Sequence, residues 1–238
     1  MMNTVDILNT RISLCLNIKA KSYHTITLFD ALNSIRIGTY SNQIQNIRRL
    51  YLNGNAKYNS KKKQLPAFIF TGCLYDTRFK FDIMGYTSLL IVDIDKLDNI
   101  DDTKALLLPD PYIVSLWVSP SGNGLKALLF LKYSQPYSAS DAWILHEHCA
   151  FPQVEHYFAQ KYSLSIDKTG CDITRMCFVS YDPAIHLKKE FEPFTVQNNL
   201  SNNQMHKIRY AYYYGRKNVR QKVKEMQKIS KHLRHYTD

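Results

Sequence analysis

The sequence predicts an α+β fold whose central part follows the order β-α-β-β-α-β. Three observations point to it. Hydrophobic residues make up 45% of the 238 positions and charged residues 21%, the balance of a folded chain with a core of its own. Apolar runs of strand length, such as "LLIVDID", "YIVSLWVS" and "LKALLFLKY", end at polar turn residues. Stretches with helical spacing of apolar residues lie between them.

Taken in order, residues 25–36 space Leu28, Leu32 and Ile35 as a helix does, and residues 43–52 do the same with Ile44, Ile47, Leu50 and Tyr51 before "NGN" stops them. "AFIFTG" after Pro66 reads as a strand. A strand then runs through Asp95, a short helix opens at Asp101 or Asp102 before "TKALLL", and two strands flank the turn "SGNG". Residues 141–162 read as a helical stretch bent at Pro152, and "RMCFVSY" as the last strand. This is the split β-α-β, ferredoxin-like plan. Right-handed crossovers place its first strand between the third and the fourth, antiparallel to both.

Composition narrows the setting. No apolar run is long enough to span a bilayer, and the N-terminus lacks the order of a secretory signal, so a cytoplasmic protein without a membrane partner is expected. Five scattered cysteines form no CxxC pair and suggest small core residues in a reducing compartment. The net charge of +11 favours polyanionic partners, nucleic acid first. After the linker-like "VQNNLSNNQ", residues 205–238 interleave Lys and Arg with tyrosines. Such a segment suits a nucleic-acid strand, and equally a solvated helix packing through Ile208, Tyr212, Val219, Val223 and Met226.

Asp93 and Asp95 point to one face at the end of the first strand, where two like charges need either solvent or a cation between them. In the expected sheet, "SGNGLK" and "DKTGCDITR" meet them at the same edge. Asp172 then adds a third carboxylate, a set suited to Mg²⁺ or Mn²⁺ and to two-metal phosphoryl transfer. Backbone N–H groups of the turn at Ser121, Gly122 and Gly124 are placed for phosphate oxygens, and Lys126 and Arg175 for the charge of a triphosphate. The bland readings are a plain hairpin turn and an Arg175 ion pair with Asp172 or Asp182. Strand alternation requires a turn or bulge between Asp172 and Arg175 if both are to serve one site. His146 and His148 are assigned to packing or surface, and Trp117 and Phe130 to the core.

The motifs "LPAFIFTG", "LLIVDIDKL", "SPSGNGLKALL" and "DKTGCDITRMCFVSYDP", in this order over roughly residues 35–185, resemble the VirE N-terminal domain family of Bacteroidetes genomes and mobile elements. That family is a branch of the archaeo-eukaryotic primase and primase-polymerase superfamily. The resemblance implies an RRM-like catalytic core, drawn over residues 86–195, with an α/β unit before it (1–85) and a linker and basic helical tail after it (196–238). It implies Asp93, Asp95 and Asp172 as metal ligands, and Ser121, Gly122, Gly124, Lys126 and Arg175 at the nucleotide. Arg78 joins them as the basic residue that the family carries near this point. Where archaeal-type primases usually place a His, this chain has Lys126.

The function so implied is nucleotidyl transfer on single-stranded or primed DNA, with Mg²⁺ or Mn²⁺ and nucleoside triphosphates, in the replication of a mobile element, with a helicase as a possible partner. A non-catalytic nucleic-acid-binding module and a metal-dependent nuclease or phosphotransferase are the alternatives. On this reading, Asp93→Asn or Asp95→Asn abolishes activity and leaves the fold intact, while Lys126→Ala mainly weakens nucleotide affinity.

Overall fold

A computed structural model describes residues 1–74, 78–80 and 83–215. Residues 1–198 form one compact unit, and residues 199–238 belong to a second. The expected line between 1–85 and 86–195 falls inside the first unit. Ile12, Leu28, Ile44 and Phe68 from one side of that line share a buried cluster with Leu89, Trp117, Leu128 and Val179 from the other.

The chain begins with β1 (Met2–Asn3), α1 (Val5–Leu8), β2 (Arg11–Cys15) and β3 (His24–Thr27). Next come α2 (Leu28–Ile37), α3 (Ser41–Leu52), α4 (Tyr58–Lys62) and β4 (Ala67–Ile69). Thr27 and Asp30 exchange hydrogen bonds in a capping box that starts α2, and Gly38 ends it in the left-handed region. Leu28, Ala31, Leu32 and Ile35 of α2, with Ile44 and Ile47 of α3, turn one face of each helix into the core.

The central part supplies β5 (Leu89–Asp95), α5 (Ile100–Leu107), β6 (Ile113–Val118) and β7 (Gly124–Tyr133). Asn99, rather than Asp101 or Asp102, opens α5, its side chain accepting from both of their N–H groups. The expected long helix is three pieces: α6 (Ala142–Leu145), a π turn over His146–Ala150, and α7 (Phe151–Tyr162) with Pro152 in its first turn. His146 is buried, bonded to the Tyr86 hydroxyl at 2.9 Å, and burial pushes its pKa down to about 4; His148 is exposed. Trp117 is fully buried and Phe130 packs against the core. All five cysteines are free.

Four short strands follow: β8 (Cys177–Phe178), β9 (His186–Leu187), β10 (Glu190–Phe191) and β11 (Phe194–Val196). β1 and β10 pair with each other. β7 is the spine of one sheet, paired antiparallel with β5 along residues 124–130 and with β6 on its other edge. β9 extends the sheet from β6, and β11 lies parallel to the end of β7. The second sheet runs β3-β2-β4-β8.

The first, second and third strands of the expected plan therefore stand as anticipated, with the third between the other two. The fourth does not join the first. Cys177 and Phe178 pair with Phe68 and Ala67 of β4 instead, so among the described residues the first strand has β7 as its strand partner and lies at an edge. Apolar Ala67, Phe68 and Ile69 are all buried and offer β8 a partner that also carries the core.

In the second unit, residues 202–215 are helical, opened by a capping box in which Ser201 and Gln204 exchange hydrogen bonds. Tyr210 and Tyr214, one turn apart, hold their rings 4.1 Å from each other. The packing positions expected at Val219, Val223 and Met226 lie outside the described residues. Among the described residues no helix is long and apolar enough to cross a membrane.

Asp110, only 1% exposed, ties the approach to β6 onto α7. Its carboxylate accepts from the Tyr157 hydroxyl at 2.6 Å, from Tyr162, from the Tyr112 N–H, and from Lys161 at 3.3 Å. Burial alone would raise its pKa, but the two tyrosine hydroxyls, the Tyr112 N–H and the Lys161 charge together bring it below the ordinary value. Asp110→Ala is expected to cost about 3 kcal/mol in urea denaturation at pH 7. A carboxylate with a depressed pKa stabilises above its unfolded pKa, so the gap to wild type should narrow as pH falls below about 4.

Candidate functional site

Antiparallel pairing of β5 and β7 sets Asp93 opposite Lys126 and Asp95 opposite Gly124. Opposed residues share a face, so Lys126 reaches straight across the ladder, its Nζ 2.5 Å from Asp93 Oδ2. Gly124 is needed where it stands: a Cβ there would lie 2.5 Å from the Ile94 carbonyl oxygen. The turn before it is closed by Gly122 at φ +77° and by the Ser121 hydroxyl, which shares a hydrogen bond with the Ser119 hydroxyl and accepts one from the Asn123 N–H. α3 braces this turn from beneath. Arg48 donates to the carbonyls of Ser119 and Tyr181, and the Tyr51 hydroxyl accepts from Asn123 at 2.7 Å.

The other edge of β5, which the fourth strand was expected to fill, is taken by the loop that begins at Asp167. The Asp167 N–H donates to the Asp93 carbonyl at 2.9 Å. Asp167, absent from the sequence reading, thereby becomes the third acid. Among the described residues, ligand atoms of Asp93, Asp95 and Asp167 lie within 4.8 Å of one another, and Asp172 is outside that group. Asp172 accepts from the N–H and the hydroxyl of Thr174, both at 2.8 Å, and a turn closed from Arg175 N–H to its carbonyl follows, as strand alternation requires.

These groups line one cleft of about 600 Å³. Asp93, Asp95, Asp172, Lys126, Arg175 and Arg78 from the sequence reading are all on its wall, joined by Asp167, Thr169 and Lys62, which that reading missed. Of the glycine turn, Ser119 and Pro120 face the cleft, while Ser121, Gly122 and Gly124 do not line it. Arg175 pairs with Asp167 at 2.8 Å rather than with Asp172 or Asp182.

Charge balance differs at each acid. Lys126 is 5% exposed; burial alone would lower its pKa, and the Asp93 carboxylate overrides this and raises it. For Asp167, the penalty of burial is outweighed by hydrogen bonds from Thr169 and by the charges of Arg175 and Lys126, and its pKa falls. Asp95 is exposed by area, yet its carboxylate sits in the mouth of the cleft, where desolvation and then the Asp93 charge push its pKa up. One oxygen is left over. Asp93 Oδ1 is buried and has no hydrogen-bond partner among the described residues. Oxygen-only donors, an orphaned carboxylate oxygen and two further acids within reach are what a hard divalent cation requires.

The BT4734-like N-terminal domain family matches residues 60–186, a span that takes in the cleft acids, the glycine turn and the strands that carry them. No curated protein and no solved structure matches the chain.

Two stability effects follow from these pairings. Lys126→Met and Asp93→Asn should each destabilise the metal-free protein by about 3 kcal/mol, because either leaves one member of a buried pair alone, and the double variant should recover much of that loss. Asp95→Asn should instead raise the melting temperature at pH 7 without divalent cations. A carboxylate with a raised pKa disfavours the folded state once ionised, so this gain should vanish below about pH 4, where wild type is itself protonated.

The chain belongs to the BT4734-like N-terminal domain family, a family of the Bacteroidetes.

Proposed function

We propose that this chain is a divalent-metal-dependent nucleotidyltransferase of the primase-polymerase type, acting on single-stranded or primed DNA with nucleoside triphosphates. The observation that carries the reading is the meeting of Asp93, Asp95 and Asp167 in a cleft that Lys62, Arg78, Lys126 and Arg175 also line. Phosphoryl transfer asks little covalent chemistry of a protein and much positioning of charge. Asp93 through Oδ1, Asp95 and Asp167 would hold Mg²⁺ or Mn²⁺, which supplies charge for the phosphate oxygens and lowers the pKa of an attacking hydroxyl.

The remaining residues then divide the work. Arg78, Lys62 and Arg175 stand on the cleft wall as counter-charges for a triphosphate. Lys126 holds Asp93 in place from within the sheet and fixes which of its oxygens faces the cleft. The ferredoxin-like core belongs to the same proposal. β5, α5, β6 and β7 supply its first four elements, and the Asp167 loop stands on the β5 edge in place of a fourth strand. Replication of a mobile element, with a helicase as partner, is the setting we propose for the activity.

The test is extension of a primed template by the purified chain with Mn²⁺ or Mg²⁺ and dNTPs. Wild type should lengthen the primer, and Asp95→Asn and Asp167→Asn should each slow it on the order of 100-fold, a loss of about 2.7 kcal/mol in transition-state stabilisation. Asp172→Asn should stay within a few-fold of wild type. Binding of nucleotide and metal with no product on any template would leave only the binding module. Shortening of the strand would mark a nuclease.

A further inference from the structure

The cleft that holds the three acids adjoins a basic surface. Between Asp30 and Asp76 the sequence has no Asp or Glu, and after Arg36 its basic residues are Arg48, Arg49, Lys57, Lys61, Lys62 and Lys63. All six lie on α3, on α4 or beside α4. Residues 76–204 carry more acids than bases, so the chain's positive charge is concentrated in this stretch and in residues 205–238.

Successive residues on a helix point about 100° apart, so the three lysines 61–63 fan out in three directions. Lys62 enters the cleft, its Nζ 5.6 Å from the Tyr58 ring centroid and 5.9 Å from that of Phe178. Lys61 lines a groove of about 250 Å³ between α3 and α4, with Gln43, Asn46 and Gln64. Lys63 lines another, of about 330 Å³, between α4 and residues 17–19, with Asn17, Lys19 and Ser60. The depressions are contiguous. Ile18 lines both the cleft and the Lys63 groove, and Gln64 lines both grooves.

We propose that the two grooves flanking α4 form the track along which a single nucleic-acid strand reaches the cleft. Their lining is ammonium and amide groups, which donate to phosphate oxygens and meet base edges, with few apolar side chains that a lipid surface would need. Lys57, Lys61 and Lys63 are exposed and make no salt bridge among the described residues. A strand laid there releases counterions at each phosphate it brings to a lysine. The direction of the track rests on the nucleotidyl-transfer reading; the binding itself does not.

The experiment measures anisotropy of a fluorescent oligothymidylate against the full chain, without divalent metal, over a series of salt concentrations. Lys57→Ala/Lys61→Ala/Lys63→Ala should bind roughly tenfold more weakly at low salt. It should also flatten the log–log salt dependence by about 2, at about 0.7 per single-strand phosphate contact. Its thermal unfolding should match wild type, since only exposed side chains are removed. Unchanged affinity and slope overturn the proposal. So does a loss confined to anionic phosphatidylserine vesicles, which assigns the surface to a membrane. A wild type that binds through these lysines yet makes no product keeps the track and sinks nucleotidyl transfer; a wild type that extends primers while the triple variant binds equally well does the reverse.

Discussion

The buried ion pair between Lys126 and Asp93 is the constraint on which the rest of the site depends. It joins neighbouring strands across the β5–β7 ladder, in a register that also brings Gly124 against Asp95. A buried charge must be paired or it is expelled or neutralised, so Lys126, 5% exposed, depends on the Asp93 carboxylate for its place inside the sheet. The same bond occupies Oδ2 and leaves Oδ1 without a partner among the described residues. Lys126 is thus a structural member of the site rather than a mobile charge on its rim.

The β5 edge explains how the third acid arrives. Had the last strand of the expected plan paired with β5, backbone hydrogen bonds would have filled that edge and held the acids of the preceding loop at strand spacing. The strand goes to β4, and the vacated edge accepts one backbone bond from Asp167. A loop held by a single ladder bond can present its side chain toward Asp93 and Asp95 without strand alternation dictating the face. Arg175, bonded to Asp167, then secures the loop from its far end.

Much of this was legible in the sequence and some was not, for identifiable reasons. Strands β5, β6 and β7 announce themselves as apolar runs bounded by turn residues; the pairing of β6 with β7 follows from the short "SGNG" turn, and that of β5 with β7 from the right-handed crossover through α5. Asp93 and Asp95 were found because strand alternation is a local rule. The choice between Asp167 and Asp172 was not local: both stand in an Asp-x-Thr sequence, and both accept from the N–H and hydroxyl of the threonine two residues on. The long-range bond to β5 and the Arg175 ion pair, both made by Asp167, separate them. Lys62 escaped notice for a related reason, since it sits in a run of three lysines that reads as a solvated face until tertiary structure turns one of them into the cleft.

The cleft and the braced turn beside it derive their meaning from one claim, that Asp93, Asp95 and Asp167 hold a divalent cation. The most direct test is anomalous diffraction from crystals of the full chain soaked in Mn²⁺. The account predicts a manganese peak among the three carboxylates with Asp93 Oδ1 as a ligand and the Lys126–Asp93 Oδ2 bond retained. A peak centred on Asp172 instead, or none at saturating Mn²⁺ in well-ordered crystals, would contradict it.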